Sequence, residues 1–221
     1  MKRLAIFDFD GTLFDSIADV LICFNRALTV HGFPTLTREE LIPCLGGDIN
    51  QIVSLVLGEY YTPENMEALK KTYLDFYNSS DKEKTVPFPN AHSLLRKLQE
   101  NGTLLAVNSN RLNYSLNEFV GRYFSDIDFL AVEGQSESTR SKPHPDGVNR
   151  IIEKADVDAG EAVYIGDSST DIETARNAGI DCILVSWGYG LEEDMKSDYP
   201  LCVIDEIDEL LKYFKDGVDH V

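Results

Sequence analysis

Cysteine is scarce: the 221 residues hold four, Cys23, Cys44, Cys182 and Cys202, far apart and with no C-x-x-C pair. That pattern excludes a disulfide framework and a cysteine zinc site, and it predicts small buried hydrophobes in a reducing compartment. No apolar run approaches the ~18 residues of a membrane span, and Asp8 and Asp10 come too early for a signal peptide. The expected location is the cytoplasm. Cations are few as well, 20 Lys and Arg against 38 Asp and Glu, for a net charge of −18. A field of that sign repels phosphate backbones and anionic lipid, so neither nucleic acid nor a membrane is an expected partner. An acidic protein that handles an anion needs local positive charge, from a metal ion or a few placed cations. With 43% hydrophobic and 26% charged residues, the composition is that of an ordinary globular chain. Its length suits one large domain, or one domain carrying an insertion.

Five short apolar runs stand out: residues 3–7, Thr103–Val107, Phe129–Val132, Ala162–Ile165 and Cys182–Val185. Each is continuous rather than alternating, as expected of strands covered on both faces. Between them, Asn90–Glu100, Leu112–Tyr123, Asp146–Lys154 and Ser169–Asn177 are amphipathic and of helical length. This alternation predicts an α/β fold with a doubly wound, mainly parallel, Rossmann-like sheet. The acidic stretch Asp205–Lys215 reads as a solvated outer helix. From Asp15 to Ser80 the rhythm changes to helix signals alone: Asp15–Val30, a capping box at Thr37-Arg-Glu-Glu40, Ile49–Leu57, and Thr62-Pro63 opening Glu64–Tyr77. Tyr60, Tyr61, Tyr73, Phe76 and Tyr77 recur at near-helical spacing, as the core of such a bundle would. The expected organisation is a core of residues 1–14 and 86–221 with an inserted α-helical cap over 15–85, hinged near Asp15–Ser16 and Lys84–Pro87.

In open α/β sheets, ligands bind beyond the carboxyl ends of the strands. The residues found there are Asp8 and Asp10, then Asn108-Ser109-Asn110, then Gly166-Asp167 with Asp171, and Lys142 after a loop. Four carboxylates against one ammonium sum to −3, which is costly unless a cation joins them. Hard oxygen ligands around an open position suit Mg²⁺, which is commonly held by one or two carboxylates plus substrate phosphate. Each residue also has a plainer reading. Ser168-x-x-Asp171 reads as a helix N-cap, Ser109 as turn chemistry, Lys142 as a solvated loop lysine, and His144 between two prolines as a structural residue.

Taken in order, Asp8-Phe9-Asp10-Gly11-Thr12-Leu13, Ser109, Lys142 and Gly166-Asp167-Ser168-Ser169-Thr170-Asp171 resemble the four motifs of the haloacid dehalogenase superfamily, over Ile6 to Gly190. The longer Phe-Asp-Phe-Asp-Gly-Thr-Leu-Phe-Asp-Ser followed by helices resembles its phosphoglycolate phosphatase and β-phosphoglucomutase branch, which carries an α-helical cap. The resemblance implies a Mg²⁺-dependent phosphatase acting on a small phosphorylated metabolite. Asp8 would be the nucleophile, forming an aspartyl-phosphate, and Asp10 the general acid and base. Ser109 and Lys142 would hold and neutralise the phosphoryl group. Asp8, Asp167, Asp171 and the main-chain carbonyl of Asp10 would hold the metal. Val107-Asn108-Ser109-Asn110-Arg111 departs from the usual hydrophobic-Thr-Asn-Lys but keeps the hydroxyl.

Asn110 and Arg111 would face the entrance and contact the leaving group, though Arg111 reads somewhat better as a solvated helix start. Gly46 and Gly47, in Leu45-Gly46-Gly47-Asp48, read equally as a substrate-selecting cap loop and as helix punctuation. A sugar-phosphate mutase like β-phosphoglucomutase, or an inorganic pyrophosphatase of the same fold, would share the core motifs. A dehalogenase or phosphonatase would lack Asp10. A receiver domain is shorter, lacks the insertion, and carries its Asp after the third strand. No heptads appear, and a monomer or weak homodimer is expected.

Overall fold

The computed structural model describes residues 1–136 and 139–214. Its centre is a six-stranded parallel sheet in the order β5-β4-β1-β6-β7-β8. The strands are β1 (Leu4–Phe7), β4 (Leu104–Leu112), β5 (Phe129–Gln135), β6 (Ala162–Gly166), β7 (Asp181–Val185) and β8 (Cys202–Ile204). β1 lies centrally, with Phe7 opposite both Val107 of β4 and Ile165 of β6, so three carboxyl ends open on the same rim. Strand alternation sends Ala5 and Phe7 to one face and Leu4 and Ile6 to the other, and both faces are covered. Helices α5 (Ala91–Glu100) and α6 (Asn113–Tyr123) pack on the first face. Helices α7 (Asp146–Ala155) and α8 (Ser169–Ala178) pack on the second. α8 stops where Gly179 turns to a left-handed conformation, as the Ala178-Gly179 pair predicts.

Between β1 and α5 the chain builds four helices: α1 (Ile17–Val30), α2 (Arg38–Leu41), α3 (Ile49–Leu57) and α4 (Pro63–Ser79). Thr37 closes the expected capping box on Glu40, and Asp48 forms another with Gln51. Their inward faces make a hydrophobic cluster of their own around Phe24, Leu28, Val53, Leu69 and Tyr73. The chain leaves and returns through a short antiparallel ribbon in which β2 (Phe14–Asp15) pairs with β3 (Val86–Pro87). Among the described residues, no helix is long and apolar enough to cross a membrane.

Several expectations need correction. β4 runs five residues beyond Val107, to Leu112, because the loop after the motif stays paired with β5, where Leu112 lies opposite Gln135. A sixth strand, β8, was hidden in Cys202-Val203-Ile204, too short to show a period. The following segment is a 3₁₀ helix over Ile207–Tyr213 rather than a solvated α-helix, and Ile207, Leu210 and Phe214 are buried in the core. Lys215 lies outside the described residues. Tyr60 and Tyr61 are 42% and 47% exposed, since they fall before α4 rather than on its buried face. Tyr73 and Tyr77 are buried as expected. Of the cysteines, Cys23 and Cys182 are buried, Cys44 and Cys202 only partly, and all four are free thiols.

Candidate active site

Three elements deliver the acidic residues. Asp8 follows β1 and donates its backbone N–H to the Ile165 carbonyl at 2.8 Å, which fixes the strand end beside β6. Asp167 follows β6, and Asp171 lies one turn into α8. Carboxylate oxygens of Asp8, Asp167 and Asp171 lie within 4.8 Å of one another, and all three residues are buried. Lys142 reaches in from the loop before α7 and donates to Asp8 Oδ1 and Asp171 Oδ1, both at 2.7 Å. Its ammonium also sits 5.6 Å from the centre of the Tyr164 ring, whose hydroxyl donates to the Asn108 carbonyl.

The electrostatics follow from burial. Removal from water, together with Asp171, raises Asp8 to about 7 even against the pull of Lys142. Asp167 is pushed well above the carboxylate range by burial and by its neighbours Asp171 and Asp8. Burial alone would lower the Lys142 ammonium, but Asp171 and Asp8 outweigh it and raise it instead. One ammonium among three buried carboxylates leaves a deficit that a divalent cation would remove. The donor set, carboxylate oxygens with no imidazole or thiolate among them, fits a hard ion such as Mg²⁺.

Asp171 combines two of the expected readings. Its Oδ2 accepts from the backbone N–H groups of Asp167 and Ser168 and from the Ser168 hydroxyl, completing the capping box, while Oδ1 takes Lys142. Asp167 is held in part by a loop that the sequence did not single out. Tyr189 N–H donates to its Oδ2 at 2.6 Å, from the Ser186-Trp187-Gly188-Tyr189-Gly190 loop after β7. Gly11 has φ +85, and a Cβ there would collide with the Asp167 carboxylate. The Tyr189 hydroxyl accepts from the backbone N–H groups of Ser16 and Ile17 and donates to Asp15 at 2.8 Å, joining this loop to the start of α1. An aromatic between glycines just past a buried strand was the available signal.

Asp10 stands apart from the acidic trio. Its carboxylate accepts from Ser16 Oγ and from Arg111, whose Nε donates to Oδ2 at 3.0 Å and whose Nη2 pairs with Oδ1. Arg111 is thus not the solvated helix start that the sequence suggests: its side chain is only 7% exposed. Because β4 continues through it, Arg111 is placed over the Phe9 and Phe119 rings, and it also donates to the Tyr77 hydroxyl on α4. Burial would lower its guanidinium, but Asp10 and Tyr77 raise it. Ser109 is buried, and its Oγ accepts from Arg111 N–H at 3.1 Å.

The Asn110 side chain ties loops together, donating to the Gly46 and Lys142 carbonyls at 3.0 Å and accepting from Lys142 N–H at 2.7 Å. Through that bond Gly46 is brought to the core, and both Gly46 and Gly47 line the cavity. Gly47 also precedes the Asp48 cap of α3, so the pair serves as punctuation as well. His144 Nδ1 faces Asp146 at 3.0 Å.

Above these residues lies a cavity of about 150 Å³, with Asp8, Asp10, Ser109, Lys142 and Asp167 on its core side. The arrangement can hold a cation, bind an oxyanion at Ser109 and Lys142, and present a carboxylate to an electrophile.

Comparison with known proteins identifies the family. A phosphoglycolate phosphatase of Psychrobacter arcticus is 31% identical over 223 residues, covering 96% of this chain and 95% of its own. One from Vibrio parahaemolyticus is 28% identical over 216 residues, covering 95% of each. A crystal structure from Lactobacillus delbrueckii superposes with a TM-score of 0.88 at 29% identity, covering 95% of this chain and 97% of that one. The family model for haloacid dehalogenase-like hydrolases matches residues 5–185, and the chain belongs to that family.

Proposed function

We propose that this protein is a Mg²⁺-dependent phosphatase that hydrolyses small phosphate monoesters through an aspartyl-phosphate on Asp8. The observation that carries this reading is the buried trio Asp8, Asp167 and Asp171 around Lys142, with Asp8, Asp167 and Lys142 lining a small cavity. Asp8 attacks phosphorus in line, forming a P–O bond as the ester P–O bond breaks. Asp10 gives a proton to the departing alkoxide, then takes one from the water that attacks the aspartyl-phosphate, releasing inorganic phosphate and restoring Asp8. To do so it turns an oxygen out of the fork made by Arg111 and Ser16. Ser109 and Lys142 hold the phosphoryl oxygens.

Mg²⁺ would be held by Asp8, Asp167 and the Asp10 carbonyl, and when bound it neutralises phosphoryl charge. Asp171, with Oδ1 on Lys142 and Oδ2 on the α8 N-terminus, steadies that set directly or through a water. Residues 15–85 act as the cap over a core of 1–14 and 86–221, excluding water during transfer. The reading also places the protein in the cytoplasm, as a monomer or weak homodimer.

Phosphoglycolate, the substrate for which the curated relatives are named, is the first ester to try. Phosphate release that requires Mg²⁺ and falls by about 10⁴ or more in Asp8→Asn is the expected result. Unchanged turnover in Asp8→Asn would overturn the mechanism, and turnover only with a bisphosphate activator would indicate a mutase.

A further inference from the structure

The two sides of the cavity differ in chemistry. The core side is charged, while the cap side is mainly apolar: Val20 and Phe24 of α1, Leu45 before α3, Ile49 and Ile52 within it, and Leu74 of α4 between Tyr73 and Tyr77. Among the described residues, two cations line the cavity, Lys142 and Arg111. Each already faces carboxylates, Lys142 those of Asp8 and Asp171, Arg111 that of Asp10. Among the described residues, an anionic leaving group would therefore meet a mainly apolar wall and cations already paired with carboxylates. Burying a charge against such a wall is costly, whereas an apolar group there gains about 25 cal/mol per Å² removed from water.

We propose that the leaving group of the natural substrate is an uncharged alcohol with a small apolar body, seated against the cap wall, and that carboxylate-bearing esters such as phosphoglycolate are the poorer substrates. This rests on the phosphatase reading above and narrows it. Selectivity is set by Ile52, Leu74 and their neighbours rather than by the catalytic carboxylates.

Isobutyl phosphate tests the proposal because it replaces the carboxylate oxygens of phosphoglycolate by methyl groups at nearly constant shape. With the full chain and Mg²⁺, kcat/KM for isobutyl phosphate should exceed that for phosphoglycolate by about tenfold or more. Leu74→Arg, which brings an uncommitted cation to the wall, should move that ratio toward phosphoglycolate by a similar factor, with circular dichroism reporting that the variant is folded. Ile52→Lys repeats the test from α3 should Leu74→Arg not fold. A wild-type preference for phosphoglycolate would overturn the proposal and leave the phosphatase reading intact. Failure to hydrolyse either ester, or p-nitrophenyl phosphate, would overturn both.

Discussion

The sheet rim and the helical side of the cavity solve opposite problems with opposite materials. On the rim, Asp8, Asp167, Asp171 and Lys142 are buried and each is in contact with a partner; backbone at a strand or helix end places the three carboxylates, and the Asn110 side chain holds the loop that carries Lys142. On the helical side, Phe24 stacks on Tyr73 at 3.9 Å between ring centres, and the rest of the cluster is mainly aliphatic, with Tyr77 reaching Arg111 at its edge. The rim is specified by identity, because only a carboxylate or an ammonium can do what is done there. The helical face is specified by shape, which many apolar combinations satisfy. Changes to the rim should therefore be severe and specific, and changes to the helical face graded.

Lys142→Met is the sharpest way to test that contrast. It keeps the bulk but strips the charge from among three carboxylates, and should cost about 3–5 kcal/mol, read as a lower urea midpoint. Magnesium should recover part of the stability and little of the activity. Next in size, Phe24→Ala should cost about 3–4 kcal/mol. Hydrogen exchange should locate that loss in α1 and α4, with β1 and β6 still protected; a uniform loss would erase the distinction between the two regions.

A third test uses pH. Burial and Asp171 hold Asp8 up to about 7, against an ordinary 3.8. In the metal-free protein its contribution to stability is thus complete below pH 3.8 and is lost as the pH rises through 7. A bound divalent cation favours the ionised form and removes that loss, so magnesium should raise the melting temperature more at pH 8 than at pH 5. Equal shifts at the two pH values would mean that the ion binds elsewhere. The smallest effect is expected from Ser168→Ala, about 1 kcal/mol for a lost N-cap, with Asp171 still held by Lys142 and backbone N–H groups.

Much of the architecture was legible because buried strands and capped helices leave local marks. The five apolar runs and the four inserted helices all correspond to elements, and the capping box at Thr37 is where its residues place it. Asp8, Asp10, Asp167 and Lys142 were legible through their order along the chain, not their individual surroundings. What escaped was non-local. Arg111 looks like any polar residue before a helix, and only the continuation of β4 buries it against Phe9 and Asp10. Tyr189 gains its role from Asp167 and Ser16, each more than twenty positions away. β8 is three residues long and owes its existence to pairing with β7.

The ribbon of β2 and β3 has a further consequence. Phe14 lies opposite Pro87, so the excursion that carries four helices begins and ends at one spot on the core. Tethering neighbouring points through a long segment has an entropic cost that grows only with the logarithm of its length. Seen from the sheet, the helices are a pendant whose size matters little. A short turn spliced between Phe14 and Pro87 should leave the sheet able to assemble, and other pendants hung from the same two-strand stem could give one phosphoryl-handling floor many different ceilings.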